Sequence, residues 1–411
     1  MSLFWIDDSR GIAKTYEQLT EDLNRRDYGK TYIYEQDPYE AYVHVLHSML
    51  AGYEVVCLDG NLSDGEIRSL GIEPERVNAA FAAEPLRIGN AHELLQRVKV
   101  PAPQWGVSIF TSGTTGQPKV VKHRLATLAR AAKVAADCRS HVWALAYHPT
   151  RFAGFQVFFQ ALLNGNPIVS LCDLAARFIP NALERHRVTH LSATPTFYRT
   201  LLPYVAEPLP AIRSAACGGE RCDEALFEQL KQAFPSASVR NIYASTEAGS
   251  LFSASGDLFS VPERWKSFVS VSDQQELLIH RSLLAGGGEF IPSEDEWYAT
   301  GDLVERRGEN QFVLVSRKTE MINVGGYKVN PHEIEAEIRK LPGVRDCLVK
   351  PRANRLTGNL LTASVVKDGS RSEEQIADDI ARLQLQSWKI PRIVEFAEQL
   401  PTTTTGKMVR R

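Results

Sequence analysis

Apolar and polar positions follow two alternating patterns through the first 250 residues. "DPYEAYVHVLHSMLAG" carries apolar residues at helical spacing, among them Tyr42, Val45 and Leu46, and Gly52 ends the predicted helix. "YEVVCLDG" follows it and is typical of a buried strand that ends in a turn. Such alternation of strands with helices indicates an α/β layer.

The same alternation continues to about residue 250. The predicted helices are "RLATLARAAKVAADC", "FIPNALERHR", "PTFYRTLLPYV" and "CDEALFEQLKQAF", the last with Asp223 as its N-cap. The predicted strands between them are "NPIVSL", "VTHLSAT", "IRSAACGGE" and "SVRNIYAST". This order predicts a doubly wound, mostly parallel sheet in a large N-terminal domain.

The pattern changes near residue 268. "SFVSVS", "QELLIHRS", "WYATGDLVERR" and "NQFVLVSRK" are consecutive strand-like segments, which predict a small antiparallel β unit. "NPHEIEAEIRKLPGV" then predicts a helix with Asn330 as its cap, Pro331 in its first turn and Glu333 completing a capping box. We therefore predict a large domain over residues 1–316, with a shortened N-terminal part, and a small mobile α+β domain over residues 317–411.

Composition narrows the class of protein. The chain has 411 residues, 44% of them hydrophobic, and a formal net charge of -2, so no charge excess points to a nucleic-acid partner. The N-terminus has an early acidic pair and does not resemble a signal peptide. The most apolar stretch, "FAGFQVFFQALLNGNPIVSLC", is interrupted by polar residues and predicts no membrane span. Six cysteines without C-x-x-C spacing indicate reduced thiols in a cytoplasmic protein.

Two stretches contain residue types that can bind a ligand. "HRVTH" lacks the glutamate that a zinc-binding helix needs, which disfavours a metal site there. "TSGTTGQPK" joins Gly113 and Gly116, which permit close backbone approach, to the positive charge of Lys119. Its hydroxyl groups suit a polyphosphate, although such a loop can also be a plain flexible turn; they belong to Thr111, Ser112, Thr114 and Thr115. The lysine spacing excludes a Walker loop.

Five motifs in order carry a family resemblance. "TSGTTGQPK", "YASTE", "ATGD", "SRKTEMINVGGYKVNPHEIE" and "PTTTTGK" resemble those of the acyl-adenylate-forming superfamily, which includes acyl-CoA synthetases, adenylation domains of nonribosomal peptide synthetases and luciferases. The match runs from about residue 105 to the end of the chain, which is similar to a short, stand-alone member. The first hundred residues carry no recognised motif.

The resemblance implies roles at the nucleotide. Glu247 would hold Mg²⁺, Thr246 would contact phosphate and Tyr243 would pack on adenine; a carboxylate after a strand suits Mg²⁺, while a glutamate at a helix start is the plainer alternative. Asp302 would hold the ribose, although aspartates are also common in turns. Further nucleotide contacts are implied for Arg317 and for the turn of Gly218, Gly219 and Glu220.

Lys407 matches the catalytic lysine of the family. The chemistry explains the need for a cation, because the attack of a carboxylate on the α-phosphate brings two anions together. A thiol then attacks the activated carbonyl, and in the family the small domain moves between the two steps. Gly325 and Gly326 match a segment that lines the thiol tunnel. The hinge position is occupied by Thr319 instead of the more common Asp or Lys.

The acyl pocket is expected to be lined from "YHPTRFAGF" and the turns near residues 218 and 244. His148, Phe152, Phe155 and Ala244 are the candidate substrate-binding residues, with Phe152 and Phe155 as apolar walls. Arg151 either meets a polar group of the substrate or pairs elsewhere. Relatives that activate amino acids place an Asp near Phe152, so the sequence disfavours an α-amino acid.

The hypothesis is an ATP- and Mg²⁺-dependent acid–thiol ligase that forms an acyl-adenylate. The acid is expected to be small, and the acceptor is phosphopantetheine on CoA or on a separate acyl carrier protein. The alternatives are a nucleotide-binding protein without ligase activity, a P-loop phosphotransferase, and adenylation followed by transfer to an amine or to oxygen chemistry. The sequence does not identify the acid, the thiol acceptor or the oligomeric state.

Overall fold

The computed structural model describes residues 2–111, 119–285, 296–354, 358–402 and 408. For Thr111 the description covers the backbone and not the side chain. Two compact units are present. The first comprises residues 1–268 and 279–298, and the second comprises residues 269–278 and 299–411. The predicted domain boundary at residue 316 and the predicted mobility of the second domain stay predictions.

The first unit contains fifteen strands among the described residues. They are β1 (Leu3–Asp7), β2 (Ile12–Thr15), β3 (Tyr28–Lys30), β4 (Tyr32–Ile33), β5 (Val55–Cys57), β6 (Ala80–Ala82), β7 (Val107–Thr111), β8 (Lys119–His123), β9 (Trp143–Leu145), β10 (Ile168–Ser170), β11 (His190–Ala193), β12 (Ser214–Gly218), β13 (Ser238–Ser245), β14 (Gly249–Ala254) and β15 (Leu258–Ser260).

Ten α-helices lie between these strands in the described part of this unit. They are α1 (Tyr16–Asn24), α2 (Pro38–Ala51), α3 (Asp64–Ser69), α4 (Pro74–Val77), α5 (Ala91–Arg97), α6 (Leu125–Leu128), α7 (Phe152–Leu162), α8 (Ile179–Arg185), α9 (Pro195–Leu201) and α10 (Glu224–Ala233).

The eight-stranded sheet has the order β14-β13-β12-β11-β9-β10-β1-β2. The six strands from β13 to β1 run parallel to their neighbours, and the edge strands β14 and β2 are antiparallel. A four-stranded sheet has the order β4-β5-β7-β8. The prediction of an α/β fold with a mostly parallel sheet is confirmed.

The N-terminal part, which carries no motif, is integral to this unit. Strand β1 pairs with β10, so the first residues of the chain complete the parallel sheet. Helix α2 buries Tyr42, whose ring stacks on Phe158 of α7 with 3.9 Å between ring centroids. Asp37 caps α2, and Gly52 ends it with φ = 83°, a conformation that favours glycine. The helix predicted for this segment is confirmed.

One predicted helix is wrong. The segment 124–138 was expected to be a single helix, but only α6 and one turn of 3-10 helix form in it. Side chains of α7 and of the turn that follows it bind the backbone groups that a helix would use. Gln160 Oε1 accepts from the Lys133 amide, and the Lys133 carbonyl accepts from Gln160 and Asn164. These tertiary hydrogen bonds override the local helix preference.

The second unit is α+β. Its elements are β16 (Val269–Val271), β17 (Glu276–His280), β18 (Trp297–Arg306), β19 (Gln311–Arg317), β20 (Ile322–Val324), β21 (Tyr327–Val329), α11 (Pro331–Ile338), β22 (Val344–Asn354), β23 (Gly358–Lys367), α12 (Glu373–Ala381) and β24 (Ile393–Phe396), with the ends of β17 and β18 extending into the first unit.

Strands β19, β18, β17 and β16 are neighbours in that order, as predicted for the antiparallel unit, and β22-β23-β24 form a further sheet. Asn330 caps α11 by accepting from the His332 amide, as predicted. The predicted capping box is absent, because Glu333 pairs with Lys389 at 2.7 Å instead.

Candidate active site

The carboxyl ends of the parallel strands bring two of the predicted turns of the first unit, at residues 218–220 and 245–247, to one edge of the eight-stranded sheet. Strand β12 ends at Gly218 and its neighbour β13 ends at Ser245, so the turns that follow them are adjacent. Strands β11 and β9 come next in the sheet. Ligands of doubly wound sheets bind outside the carboxyl ends of the strands, where the strand order reverses. This edge is therefore the candidate site.

The turn after β12 is shaped by its own side chains. Gly219 has φ = 82°, which favours glycine. A Cβ built on Gly218 would lie 3.2 Å from the hydroxyl of Tyr147, so this position is already close-packed. The Glu220 carboxylate accepts from the amide and the hydroxyl of Thr196 at 3.0 and 2.7 Å, at the start of α9. Gly218 and Glu220 thus have defined structural roles, and their predicted contacts with the nucleotide stay predictions.

The turn after β13 presents Thr246 and Glu247. Both side chains are partly exposed, and within the described ranges the Glu247 carboxylate has no hydrogen bond or ion pair. Carboxylate oxygens are preferred Mg²⁺ ligands, so a partly exposed carboxylate without a protein partner fits that ion. Tyr243 is buried and packs on Phe252 and Phe259. Because of this packing, at most one edge or face of the Tyr243 ring is left for its predicted stacking on adenine.

An arginine that the sequence analysis missed holds this turn in place. Arg130 donates from one nitrogen to the carbonyls of Ala248 and Leu283 at 2.6 and 2.9 Å. The Glu247 carbonyl in turn accepts from the Ala285 amide at 2.7 Å. Burial lowers the pKa of Arg130. The contact spans more than a hundred residues, and no local pattern in the sequence signals it.

The glycine- and threonine-rich loop joins two paired strands. Thr111 of β7 lies opposite Lys119 of β8, so residues 112–118 connect antiparallel neighbours. Ser112, Gly113, Thr114, Thr115 and Gly116 lie outside the described residues, as does the side chain of Thr111. Lys119 is exposed. Its predicted role toward phosphate stays a prediction.

His148 and Arg151 lie beside the start of this loop. Arg151 donates to the Phe110 carbonyl at 2.9 Å, one residue before β7 ends. Among the described residues Arg151 forms no ion pair, and its guanidinium donates to this backbone carbonyl. Its contact with a polar group of the substrate stays a prediction. His148 Nε2 lies 3.4 Å from Oδ1 of the buried Asp59, and this hydrogen bond holds the pKa of Asp59 well below its usual range.

The predicted apolar walls differ in their placement. Phe152 packs on His123 with 5.0 Å between rings, and its ring edge would lie 3.4 Å from a Cβ on Gly249, near the turn after β13. Phe155 is 1% exposed and packs edge-on against Tyr42, so it lies in the core. This geometry supports a substrate contact for Phe152 better than for Phe155. Ala244 is partly buried, beside a register shift in the pairing of β13 with β14.

In the second unit, Asp302 and Arg317 are directly opposite each other on β18 and β19. Arg317 Nε donates to Asp302 Oδ1 at 2.9 Å, and Asp302 is 5% exposed. The two residues assigned to the nucleotide by resemblance are thus brought together. The predicted contact of Asp302 with the ribose stays a prediction.

The remaining predicted residues of the second unit lie in exposed turns or outside the described part. Thr319 is exposed in the turn after β19. Gly325 and Gly326 form the tip of the β20–β21 hairpin with φ values of 58° and 89°, and two such residues are typical of a tight hairpin turn. Lys407 lies outside the described residues.

The described residues contain neither a metal-binding cluster nor a membrane-spanning helix. No group of three or more His, Cys, Asp and Glu side chains there is arranged to hold a metal ion, so Mg²⁺ would need ligands from a bound nucleotide or water as well. No described helix has the length and apolar character needed to cross a bilayer. The six cysteines, all of them described, are free thiols.

The parallel sheet, the turns at its carboxyl edge and the separate α+β unit define a nucleotide-binding α/β enzyme. The model of the AMP-binding enzyme family matches residues 43–272, more than half of the chain, and that of the AMP-binding enzyme C-terminal domain matches residues 333–407. The chain belongs to the AMP-binding enzyme family. The resemblance to the acyl-adenylate-forming superfamily is confirmed.

Individual relatives are distant. Feruloyl-CoA synthase from Amycolatopsis sp is 26% identical over 338 residues, which are 74% of this chain and 68% of the relative. Bacitracin synthase 3 from Bacillus licheniformis is 26% identical over 343 residues, 74% of this chain but 5% of that much longer protein. Against some plant relatives, such as the 4-coumarate–CoA ligase-like 9 protein of Arabidopsis thaliana, the chain spans 60% of the relative's length.

Solved structures share the fold over nearly the whole chain. The o-succinylbenzoate CoA synthetase of Bacillus subtilis, in complex with its acyl-adenylate intermediate, has a TM-score of 0.70 and 19% identity, covering 99% of this chain and 94% of that one. ATP-bound MatB from Rhodopseudomonas palustris has a TM-score of 0.71 and 19% identity with the same coverage. The Bacillus subtilis enzyme has also been solved with ATP and a magnesium ion.

Proposed function

We propose that this protein activates a carboxylic acid with ATP as an acyl-adenylate and then transfers the acyl group to a phosphopantetheine thiol. The observation that carries the proposal is the partly exposed Glu247 carboxylate, which has no partner among the described residues and lies at the carboxyl edge of the sheet beside the Gly218–Glu220 turn. Membership of the AMP-binding enzyme family supports the same chemistry.

In the first step, an oxygen of the substrate carboxylate attacks the α-phosphorus of ATP. The bond from that phosphorus to the bridging oxygen breaks, and pyrophosphate leaves. Glu247 would hold Mg²⁺, which neutralises phosphate charge when bound. Lys119 and the hydroxyls of the neighbouring loop would bind the phosphates, and Lys407 would reduce the repulsion between the two anions.

In the second step, a thiol sulfur attacks the acyl carbon and the bond to the AMP oxygen breaks. The thiol gives up its proton and AMP leaves. The exposed turn of Gly325 and Gly326 has no side chains to obstruct a long, thin pantetheine arm. CoA is the favoured acceptor, because several relatives with high coverage are named as CoA ligases or synthases.

The acid is proposed to be a small acid other than an α-amino acid. The family resemblance implies that relatives that activate amino acids have an Asp near the position of Phe152, whose ring here packs on His123 near Gly249. A phenylalanine side chain has no carboxylate that could form an ion pair with an ammonium group. Anthranilate CoA ligase and feruloyl-CoA synthase are similar proteins whose names specify acids with an aromatic ring, so aromatic acids should be tried first.

The acceptor is tested by product analysis. The full-length protein is incubated with ATP, Mg²⁺ and an acid panel, and with CoA, a phosphopantetheine-loaded carrier protein or a simple amine. A thioester formed with CoA and stoichiometric AMP supports the proposal. An amide formed in preference to any thioester would replace it with adenylation followed by transfer to an amine.

A further inference from the structure

The Thr300–Asp302 stretch of β18 has a kink at Gly301, beside which the Thr300 hydroxyl forms two hydrogen bonds. The Thr300 hydroxyl donates to the Leu277 carbonyl on β17 at 2.8 Å and accepts from the Asp302 amide at 3.1 Å. Gly301 has φ = 77°, which favours glycine. The kink determines the direction in which the Asp302 carboxylate leaves the strand.

Packing does not hold this kink. A Cβ built on Gly301 would meet no described atom within 4 Å, so neighbouring side chains do not confine the residue. Glycine has a wide range of backbone conformations, and one in open space needs a hydrogen bond to fix it. The orientation of Asp302 therefore depends on what holds the Gly301 backbone groups.

Glu276 supplies the main restraint. It is 9% exposed at the start of β17, and its Oε1 accepts from the Gly301 amide at 2.8 Å. Its Oε2 lies 3.3 Å from Lys318 Nζ, and the Lys318 amide donates to the Gly301 carbonyl at 2.8 Å. The Glu276 carboxylate thus holds the Gly301 amide, and the backbone amide of its ion-pair partner Lys318 holds the Gly301 carbonyl.

The charges around the kink alternate. Glu276 pairs with Lys318, and the adjacent Asp302 pairs with Arg317 at 2.9 Å. Opposite charges at each step keep the two carboxylates from repelling each other. A charged acceptor also makes a stronger hydrogen bond to an amide than a neutral one. Removing Glu276 would release the Gly301 amide and leave the Lys318 ammonium without its partner carboxylate.

We propose that Glu276 is a positioning residue that orients the Asp302 carboxylate toward the ribose hydroxyls of ATP. The inference rests on the proposed function, because it takes the nucleotide to be the ligand of Asp302. Glu276 does not touch the nucleotide; it acts through Gly301. The signature of this role is therefore the preference for the ribose hydroxyls, not nucleotide affinity alone.

The test is calorimetric titration of the full chain with ATP, 2′-deoxy-ATP and 3′-deoxy-ATP. A hydrogen bond to a charged group implies that the wild type prefers ATP about 10- to 100-fold over the analogue that lacks the bonded hydroxyl. We expect Glu276→Ala to reduce this ratio to below about threefold. Glu276→Gln keeps an acceptor for the Gly301 amide and should retain most of the preference.

Two further variants keep the test decisive. Glu276→Asp retains the charge but shortens the side chain, so it should lose the preference as well; it serves if the alanine variant does not fold, as judged by circular dichroism. Glu305→Ala removes an exposed carboxylate on the same strand, which pairs with Arg307 at 3.0 Å, and should leave the ratio unchanged.

The outcomes separate the inference from the function beneath it. A Glu276→Ala protein that binds ATP and its deoxy analogues more weakly by equal factors overturns the inference, since the effect is then general. A wild type that binds ATP without ribose preference removes the ligand assigned to Asp302 and the inference with it. A wild type that binds no ATP at all refutes the proposed function itself.

Discussion

Replacement of Arg130 by Ala should loosen the turn that carries Glu247. The guanidinium donates to the carbonyls of Ala248 and Leu283, and both lose their charged donor in the variant. A hydrogen bond from a charged group contributes about 1.5–3 kcal/mol. Because Arg130 is only partly buried, water replaces some of this, and we expect the free energy of unfolding to fall by about 2–4 kcal/mol.

The assay is urea unfolding followed by tryptophan fluorescence. Five of the six tryptophans lie in the first unit and only Trp388 lies in the second, so the signal reports mainly the unit that contains Arg130. The Mg²⁺ concentration for half-maximal pyrophosphate exchange should rise in parallel, because the Glu247 turn is displaced. Arg130→Lys keeps the charge without the planar fork, and an intermediate effect is expected.

The exposed Arg139 provides the matched control. Arg139→Ala should change the free energy of unfolding by less than about 0.5 kcal/mol. If Arg130→Ala were equally silent, with an unchanged Mg²⁺ requirement, the two carbonyl contacts would not stabilise the turn and this reasoning would be refuted.

Three other predictions follow. Lys407→Ala should strongly reduce adenylation but spare thiol attack on a supplied acyl-adenylate; equal loss of both steps, measured separately, would refute domain alternation here. Burial lowers the pKa of His47 and His190 to about 4, so below about pH 6.5 the unfolded chain binds protons that the folded protein does not. The free energy of unfolding should therefore be highest above about pH 6.5 and fall as the pH is lowered toward 4. The midpoint of urea unfolding measures this, and an unchanged midpoint at pH 5 would contradict the prediction. Gly218→Ala places a methyl group 3.2 Å from the Tyr147 hydroxyl and should raise the KM for the acid more than that for ATP; equal KM values to wild type would place the acid elsewhere.

Local patterns predicted much of the fold. The N-cap of α10 is an example, since the Asp223 carboxylate accepts from the Leu226 amide as its position in the sequence suggests. Helix α2 and the parallel sheet were equally readable from apolar spacing. These features depend on residues within a few positions of each other, and for that reason sequence patterns report them.

The failures have a common physical cause in long-range contacts. The helix expected over 124–138 is broken because Gln160 of α7 and Asn164 of the following turn bind the backbone of Lys133. Arg130 reaches Ala248, and Glu276 reaches Gly301, across distances in sequence that no periodicity records. Both residues hold backbone groups of the candidate site, which explains why motifs named the site residues but missed their supports.

The most direct test of the account is acid-dependent exchange of labelled pyrophosphate into ATP, with Mg²⁺ and without any thiol. Aryl, aliphatic and α-amino acids are compared, with Glu247→Gln as the inactive control. We predict exchange with one class of small acid, none with α-amino acids, and a severe loss in the variant. ATP binding without exchange for any acid in a broad panel would contradict the account and favour a nucleotide-binding protein without ligase activity.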